Sequence, residues 1–108
     1  MSIQDEHKDD AVNVAPHIHE VVFEDDKLRV LKVTVEPQAK AEMHWHPRNI
    51  NYITKSGKLR FNKPDGTSID VDLAEGQVTS ADTSSHAVEN VGDTTVETIQ
   101  VELKGGSQ

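Results

Sequence analysis

The chain has 108 residues, with 11 Lys and Arg against 19 Asp and Glu for a formal net charge of −8, and no cysteine. That length suits one domain with a modest core, and the missing thiols rule out disulfides, thiolate metal sites and cysteine nucleophiles. The acid excess excludes nucleic acid and anionic membrane surfaces as main partners, since both require clustered Lys and Arg.

Residues 1–16, MSIQDEHKDDAVNVAP, are charged throughout and offer little to bury, which predicts a flexible acidic N-terminal arm in which His7 is inert. The arm lacks the apolar block of a secretory signal, and no run in the chain approaches the roughly 18 apolar residues of a membrane span. A cytoplasmic protein is therefore expected. Residues 17–104 read as one domain, and GGSQ at 105–108 as a tail.

The domain begins with HIHE, where His17 and His19 stand one residue apart in what reads as a first strand. Histidines in such a place face solvent or a neighbouring subunit more often than a metal. LRVLKVTVEP at 28–37 alternates Leu28, Val30, Lys32 and Thr34 with Arg29, Leu31, Val33 and Val35 before Pro37 stops it. The second face turns steadily apolar, as in a strand entering a core.

EMHWHPRNINYITKSG at 42–57 follows, with His44 and His46 at a strand end. Strand side chains alternate, so the two imidazoles share a face about 7 Å apart along the backbone and are able to converge on one ion. Trp45 then faces the opposite way, as core or subunit contact, and Phe23 and Phe61 read as core or interface. Arg48 and Arg60 are candidates to orient a carboxylate at a barrel mouth.

Turn chemistry punctuates the rest. Gly57 suits a tight turn, and NKPDGT at 62–67 places Pro64 second and Gly66 fourth in a type I hairpin turn. The runs KLRFN, TSIDVDL, QVTSA, HAVENV and TVETIQVEL are strand-length. In the last, Val96, Thr98, Gln100 and Glu102 oppose Glu97, Ile99, Val101 and Leu103. No segment carries a helical period. Many short strands broken by Gly and Pro turns predict an all-β sandwich or closed barrel.

The order Pro37, His44-Trp45-His46-Pro47, Tyr52, Gly57, then Gly76 and His86-x3-Asn90, resembles the paired motifs of the cupin family, over about residues 20–104. HWHPRNINYITKSGKLRFNKPDG and SSHAVENVGDT carry the likeness most closely. The resemblance implies a cupin double-stranded β-helix, a jelly-roll barrel, with a divalent transition metal (iron, copper, nickel or zinc) held by His44, His46 and His86. It implies turns at Gly57 and Gly76 and a structural role for Asn90. The pattern departs from the family at two places. The first-motif glutamate falls at Ile50, or through a bulge at Asn49 or Asn51, and none of these is a carboxylate. Ala81 and Thr83 replace the second motif's proline and glycine.

Three neutral imidazoles leave the charge of the ion uncompensated and positions open, which favours a chelating anionic or enolisable oxygen ligand. Asn49 or Asn51 would serve as a weak fourth ligand, a donor to substrate, or a loop cap, and Tyr52 as a lumenal acid or hydrogen-bond donor. Three-histidine members of the family include dioxygenases of diketones, thiols and aromatic acids. An oxidoreductase of that type is the leading expectation, beside a non-catalytic binding or sensing barrel and a Lewis-acid isomerase or lyase. Homodimerisation through the N-terminal strand is expected as well.

Overall fold

A computed structural model describes residues 3–105 of the chain. Nine strands run in chain order: β1 His19–Glu24, β2 Leu28–Val35, β3 Lys40–His46, β4 Asn49–Lys55, β5 Gly57–Asn62, β6 Ser68–Leu73, β7 Val78–Ala81, β8 Ser84–Asn90 and β9 Val96–Leu103. They form a five-stranded sheet, β1-β2-β9-β4-β7, and a four-stranded sheet, β3-β8-β5-β6, with every pairing antiparallel. The expected all-β architecture holds. Two facing sheets with this crossed order make a jelly roll closed around one core.

The core contains Ile18, Val35, Ala41, Ile53, Leu59, Leu73, Val88 and Val96, with Phe61 and Val71 packed against it. Its turns follow local chemistry. The amide of Gly66 donates to the Lys63 carbonyl at 3.0 Å, and Gly66 adopts φ +90°, which a residue with a Cβ rarely does. Gly57 is a different case from the one expected. It opens β5, and its constraint is a close approach: a Cβ there would lie 2.5 Å from Val96 Cγ2. Asn90 ties the β8–β9 connection, donating to the carbonyls of Val35 and Thr94 at 2.8 Å and accepting from Gly92 N at 2.9 Å.

The N-terminal arm requires correction. Residues 3–16 are folded onto the barrel, with α1 at Ile3–Glu6 and α2 at Ala11–Val14, each a single turn. Ile3 is nearly buried, and Asp10, Ala11 and Ala15 are wholly so. Asp10 caps α2 by accepting from Val12 N at 3.0 Å. Its carboxylate also takes a bidentate pair of bonds from Arg29, at 2.9 and 2.8 Å. Arg29 Nε in turn donates to Glu102 Oε1 at 2.7 Å. In the tail, residues 106–108 lie outside the described residues.

All three members of this ion chain have no solvent exposure. Isolated charges in that setting would cost several kcal/mol each, and only near-complete hydrogen bonding offsets it. Arg29 provides three of its five donors, and the chain joins the N-terminal segment, β2 and β9. Arg29→Ala should therefore destabilise the protein by about 3–5 kcal/mol, because it leaves two carboxylates facing each other without water. Urea unfolding measures this; a loss below about 1 kcal/mol, as for a surface ion pair, would contradict it.

Candidate metal centre

The strand alternation that should place Ala41, Met43 and Trp45 on one face is broken by a register shift between Ala41 and His44 in the β3–β8 ladder. One extra residue changes the parity. Ala41, His44 and His46 become buried together, while Met43 stays 41% exposed and Trp45 half-buried. Trp45 turns outward and is covered by His7, stacked at 3.9 Å between ring centroids. His7 is thus part of the packing rather than an inert residue of an arm. Trp45 N donates to the Asp9 carbonyl at 2.7 Å, pinning the N-terminal segment along β3.

His86 stands directly opposite His44 in the ladder, ring centroids 4.9 Å apart and 5.2 Å from His46. A further ring joins them from an unexpected place. His19, the first residue of β1, lies 5.0 Å from His44 and 5.4 Å from His46. His19, His44 and His46 each offer one donor atom, all within 4.8 Å of one another. Nitrogens on opposite sides of one ion with bonds of about 2.1 Å stand about 4.2 Å apart, so the cluster has the scale of a single metal site. His17, two residues before His19 and outside β1, is exposed and contacts the Lys40 carbonyl through Nε2 at 3.1 Å.

The hydrogen bonds behind these rings fix their chemistry. His19 Nδ1 lies 3.0 Å from the Ala15 carbonyl, His44 Nδ1 2.6 Å from the Glu42 carbonyl, and His46 Nδ1 2.5 Å from Glu102 Oε2. A carbonyl only accepts, so Nδ1 carries the proton in His19 and His44, and Nε2 keeps its lone pair. A carboxylate behind His46 has the same effect. This is the arrangement that orients metal-ligating imidazoles. His44 Nε2 is buried without a hydrogen-bond partner, a situation that costs about 1–3 kcal/mol for an ordinary polar atom and that a coordinated cation resolves. The donor set thus fits a divalent transition metal.

Burial and mutual repulsion keep the rings neutral. Desolvation first, then the neighbouring rings, lowers His19, His46 and His86 to about 3 from 6.5. Desolvation lowers His44 as well. Burial raises Glu102 to about 7, against the pull of the Arg29 guanidinium. The unfolded chain protonates its histidines below 6.5 while the folded core resists. Histidine-linked stability is thus complete above pH 6.5 and lost as pH falls toward 3, and Glu102, taking a proton in the folded state between 4.5 and 7, offsets part of it. Metal-stripped protein should lose urea stability between pH 7 and pH 5 by an amount reporting a net excess of about two protons on the unfolded chain. A flat profile over that range would contradict neutral buried rings.

The cluster opens into a cavity of ≈ 360 Å³ lined by His19, His46 and His86 together with Ile18, Val35, Ile53, Phe61, Val88 and Val96. Asn51 and Gln100 face each other across β4–β9 and both line it, as do Asn49, Thr79 and Thr98. Asn49 Nδ2 donates to the Pro47 carbonyl, and Asn51 Nδ2 to Asn49 Oδ1, each at 2.8 Å. Two expectations fail on parity. With Asn49, Asn51 and Ile53 inward, Ile50 and Tyr52 point out, 41% and 50% exposed, so Tyr52 faces away from the lumen and Ile50 lies outside the cavity lining. Arg48 and Arg60 also leave the mouth, pairing on the surface with Asp82 and Asp70 at 2.7 Å.

Two features escaped the sequence reading. His19 was visible as the second half of HIHE, but only its distance from Ala15 and the tertiary position of β1 select it over His17. Glu102 was visible on the same face of β9 as Val96, and that face is the buried one.

A family model for the cupin domain matches residues 31–102. Among solved structures, a cupin domain from Bordetella pertussis Tohama I is similar at 22% identity and TM-score 0.75, covering 82% of this chain and 93% of that one. An uncharacterized conserved protein with a double-stranded β-helix domain from Klebsiella pneumoniae is similar at 22% identity and TM-score 0.66, covering 84% and 79%. A predicted oxalate decarboxylase from Thermotoga maritima is similar at 25% identity and TM-score 0.53, covering 72% and 67%. A search of curated proteins finds no match. No helix among the described residues is long and apolar enough to cross a membrane.

Proposed function

The chain belongs to the cupin family, and from that premise we propose that it is a small metal-binding cupin acting as an oxidoreductase of dioxygenase type on a small chelating substrate. The observation that carries the metal reading is the anchoring of three Nδ1 atoms to acceptors, which leaves three Nε2 lone pairs for one centre, one of them an orphan. We assign His19, His44 and His46 as ligands, with His86 beside them as a fourth ring for the ion or as a partner for substrate.

A bound iron, copper or nickel ion would supply redox chemistry toward dioxygen and Lewis acidity toward a chelating oxygen or sulfur. The chain's own residues do the rest. Ala15, Glu42 and Glu102 hold the rings in one tautomer and one orientation. The walls of Ile53, Phe61 and Val88 exclude water and accept the apolar body of a diketone, thiol or aromatic acid. Asn51 and Gln100 meet its polar end. Dioxygenation places both atoms of dioxygen in the product, so the substrate supplies the four electrons and no second reductant is required.

A lyase reading draws on one observation, the likeness to the predicted oxalate decarboxylase. The cavity speaks against a small dicarboxylate, since Lys63 is its one lining cation among the described residues and most of its wall is aliphatic.

Metal analysis decides the first part. The purified protein should bind one divalent transition metal per chain, and His19→Ala and His44→Ala should each abolish stoichiometric binding, while His17→Ala should leave it intact. Equal loss from His17→Ala and His19→Ala would remove β1 from the site. Oxygen uptake with diketones, thiols and phenolic acids then tests the enzyme. Metal bound without uptake across such a panel would favour the binding or sensing barrel.

The homodimer is proposed on the exposed apolar strip of the five-stranded sheet. Phe23 is 53% exposed on edge strand β1, with Tyr52 at 50% and Val78 at 62% on β4 and β7. A second copy that covers this strip would bury an unpaired sheet edge. Light scattering on the eluted protein should give twice the chain mass, and Phe23→Asp should halve it; a wild-type monomer would refute this.

A further inference from the structure

Of the buried ion chain only Glu102 has so far entered the metal site, through His46. Asp10 grips Arg29 through both oxygens, Arg29 Nε holds Glu102 Oε1, and Glu102 Oε2 accepts from His46 Nδ1. Resting on that reading, we propose that Asp10 and Arg29 are positioning residues of the metal centre, which hold Glu102 so that it carries its negative charge to the ion through the His46 ring. The carboxylate missing from the first cupin motif is thereby replaced one ring further out.

Several observations converge. Glu102 Oε1 is held by Arg29 while Oε2 meets His46, so removing Arg29 takes away a bond that fixes how the carboxylate is turned. With Glu102 ionised, two carboxylates and one guanidinium leave one net negative charge with no solvent exposure, against a set of neutral imidazoles. A divalent ion in that cluster is its natural complement, and an imidazole backed by a carboxylate is a stronger donor than one backed by a carbonyl. His46 alone has that support, since His19 and His44 lean on carbonyls. Inward positions at this level of the five-stranded sheet hold no other carboxylate: Asn49 faces Glu102 in the β4–β9 ladder.

The N-terminal segment is consequently part of the site at two points. Ala15 sets the tautomer of His19, and Asp10, at the other end of the same short helix, acts on His46 through Arg29 and Glu102. A purely structural ion chain would affect folding and leave the folded metal site alone, and this distinction makes the idea testable.

Cobalt(II) serves as the probe in the full-length protein, with its dissociation constant read by competition with a chromophoric chelator and its ligand-field absorption recorded on the loaded form. Glu102→Gln, which keeps an acceptor but loses the charge, should weaken binding about 10–100-fold, the range seen for groups behind metal ligands, and Asp10→Asn should weaken it about 3–10-fold. Both should shift the absorption bands in the same direction. Asn13→Ala is the control: it removes two bonds that hold the same segment, to the carbonyls of Gln4 and His7, and should lower stability without moving affinity or bands. Wild-type affinity and spectrum in folded Glu102→Gln and Asp10→Asn would overturn the proposal while leaving the metal site standing. Failure of the wild-type protein to bind cobalt, zinc or copper at all would overturn both.

Discussion

A guanidinium with no route to water dictates how this barrel is put together. Arg29 is fully inside, and its charge is tolerable only because Asp10 and Glu102 come to it from segments 19 and 73 residues away. That requirement draws a charged N-terminal stretch onto the barrel, sets α2 beside β3, and fixes the last strand in register with the second. The same chain supplies the end of the barrel where the histidines gather with the carboxylate that anchors His46.

Much of the architecture was legible in the residues. Short alternating runs, the Pro64–Gly66 turn and the repeated Gly punctuation predict the strands, and the resemblance supplied the way they wrap. Burial in β9 was harder. By hydrophobicity the face of Ile99, Val101 and Leu103 should turn inward, yet Val96, Thr98, Gln100 and Glu102 are the buried set. The reason is that the barrel mouth at this level needs polar groups: Glu102 for Arg29 and His46, Gln100 opposite Asn51. A pattern of apolarity cannot register a demand that originates on other strands.

The same limit explains the site. His44 and His46 were legible as a same-face pair, but their inward direction depends on a bulge at residues 42–43 that no alternation rule contains. Asp10 read as solvated because carboxylates usually are, and only its pairing with Arg29 makes burial tolerable. His19 reads as an edge histidine because a first strand commonly lies at the rim of a sheet. Once residues 3–16 are folded, β1 begins at the cluster rather than beyond it. One misjudged segment thus concealed the charge behind another ligand candidate.

The distribution of charge also constrains what the cavity admits. The molecule carries −8 overall, so its far field repels an anionic ligand, and salt relieves that repulsion over about 8–10 Å. Inside, with Glu102 ionised, the ion chain adds one net negative charge to four neutral rings, which would leave the proposed divalent ion with about one positive charge still to be matched. A singly charged chelate completes the balance. A doubly charged one overshoots it in a medium where excess charge is poorly screened. The aliphatic walls push in the same direction, because each further carboxylate would have to be desolvated against Ile53, Phe61 or Val88 with no cation but Lys63 to meet it. With the proposed metal in place, charge and lining together would favour a monoanion with an apolar body.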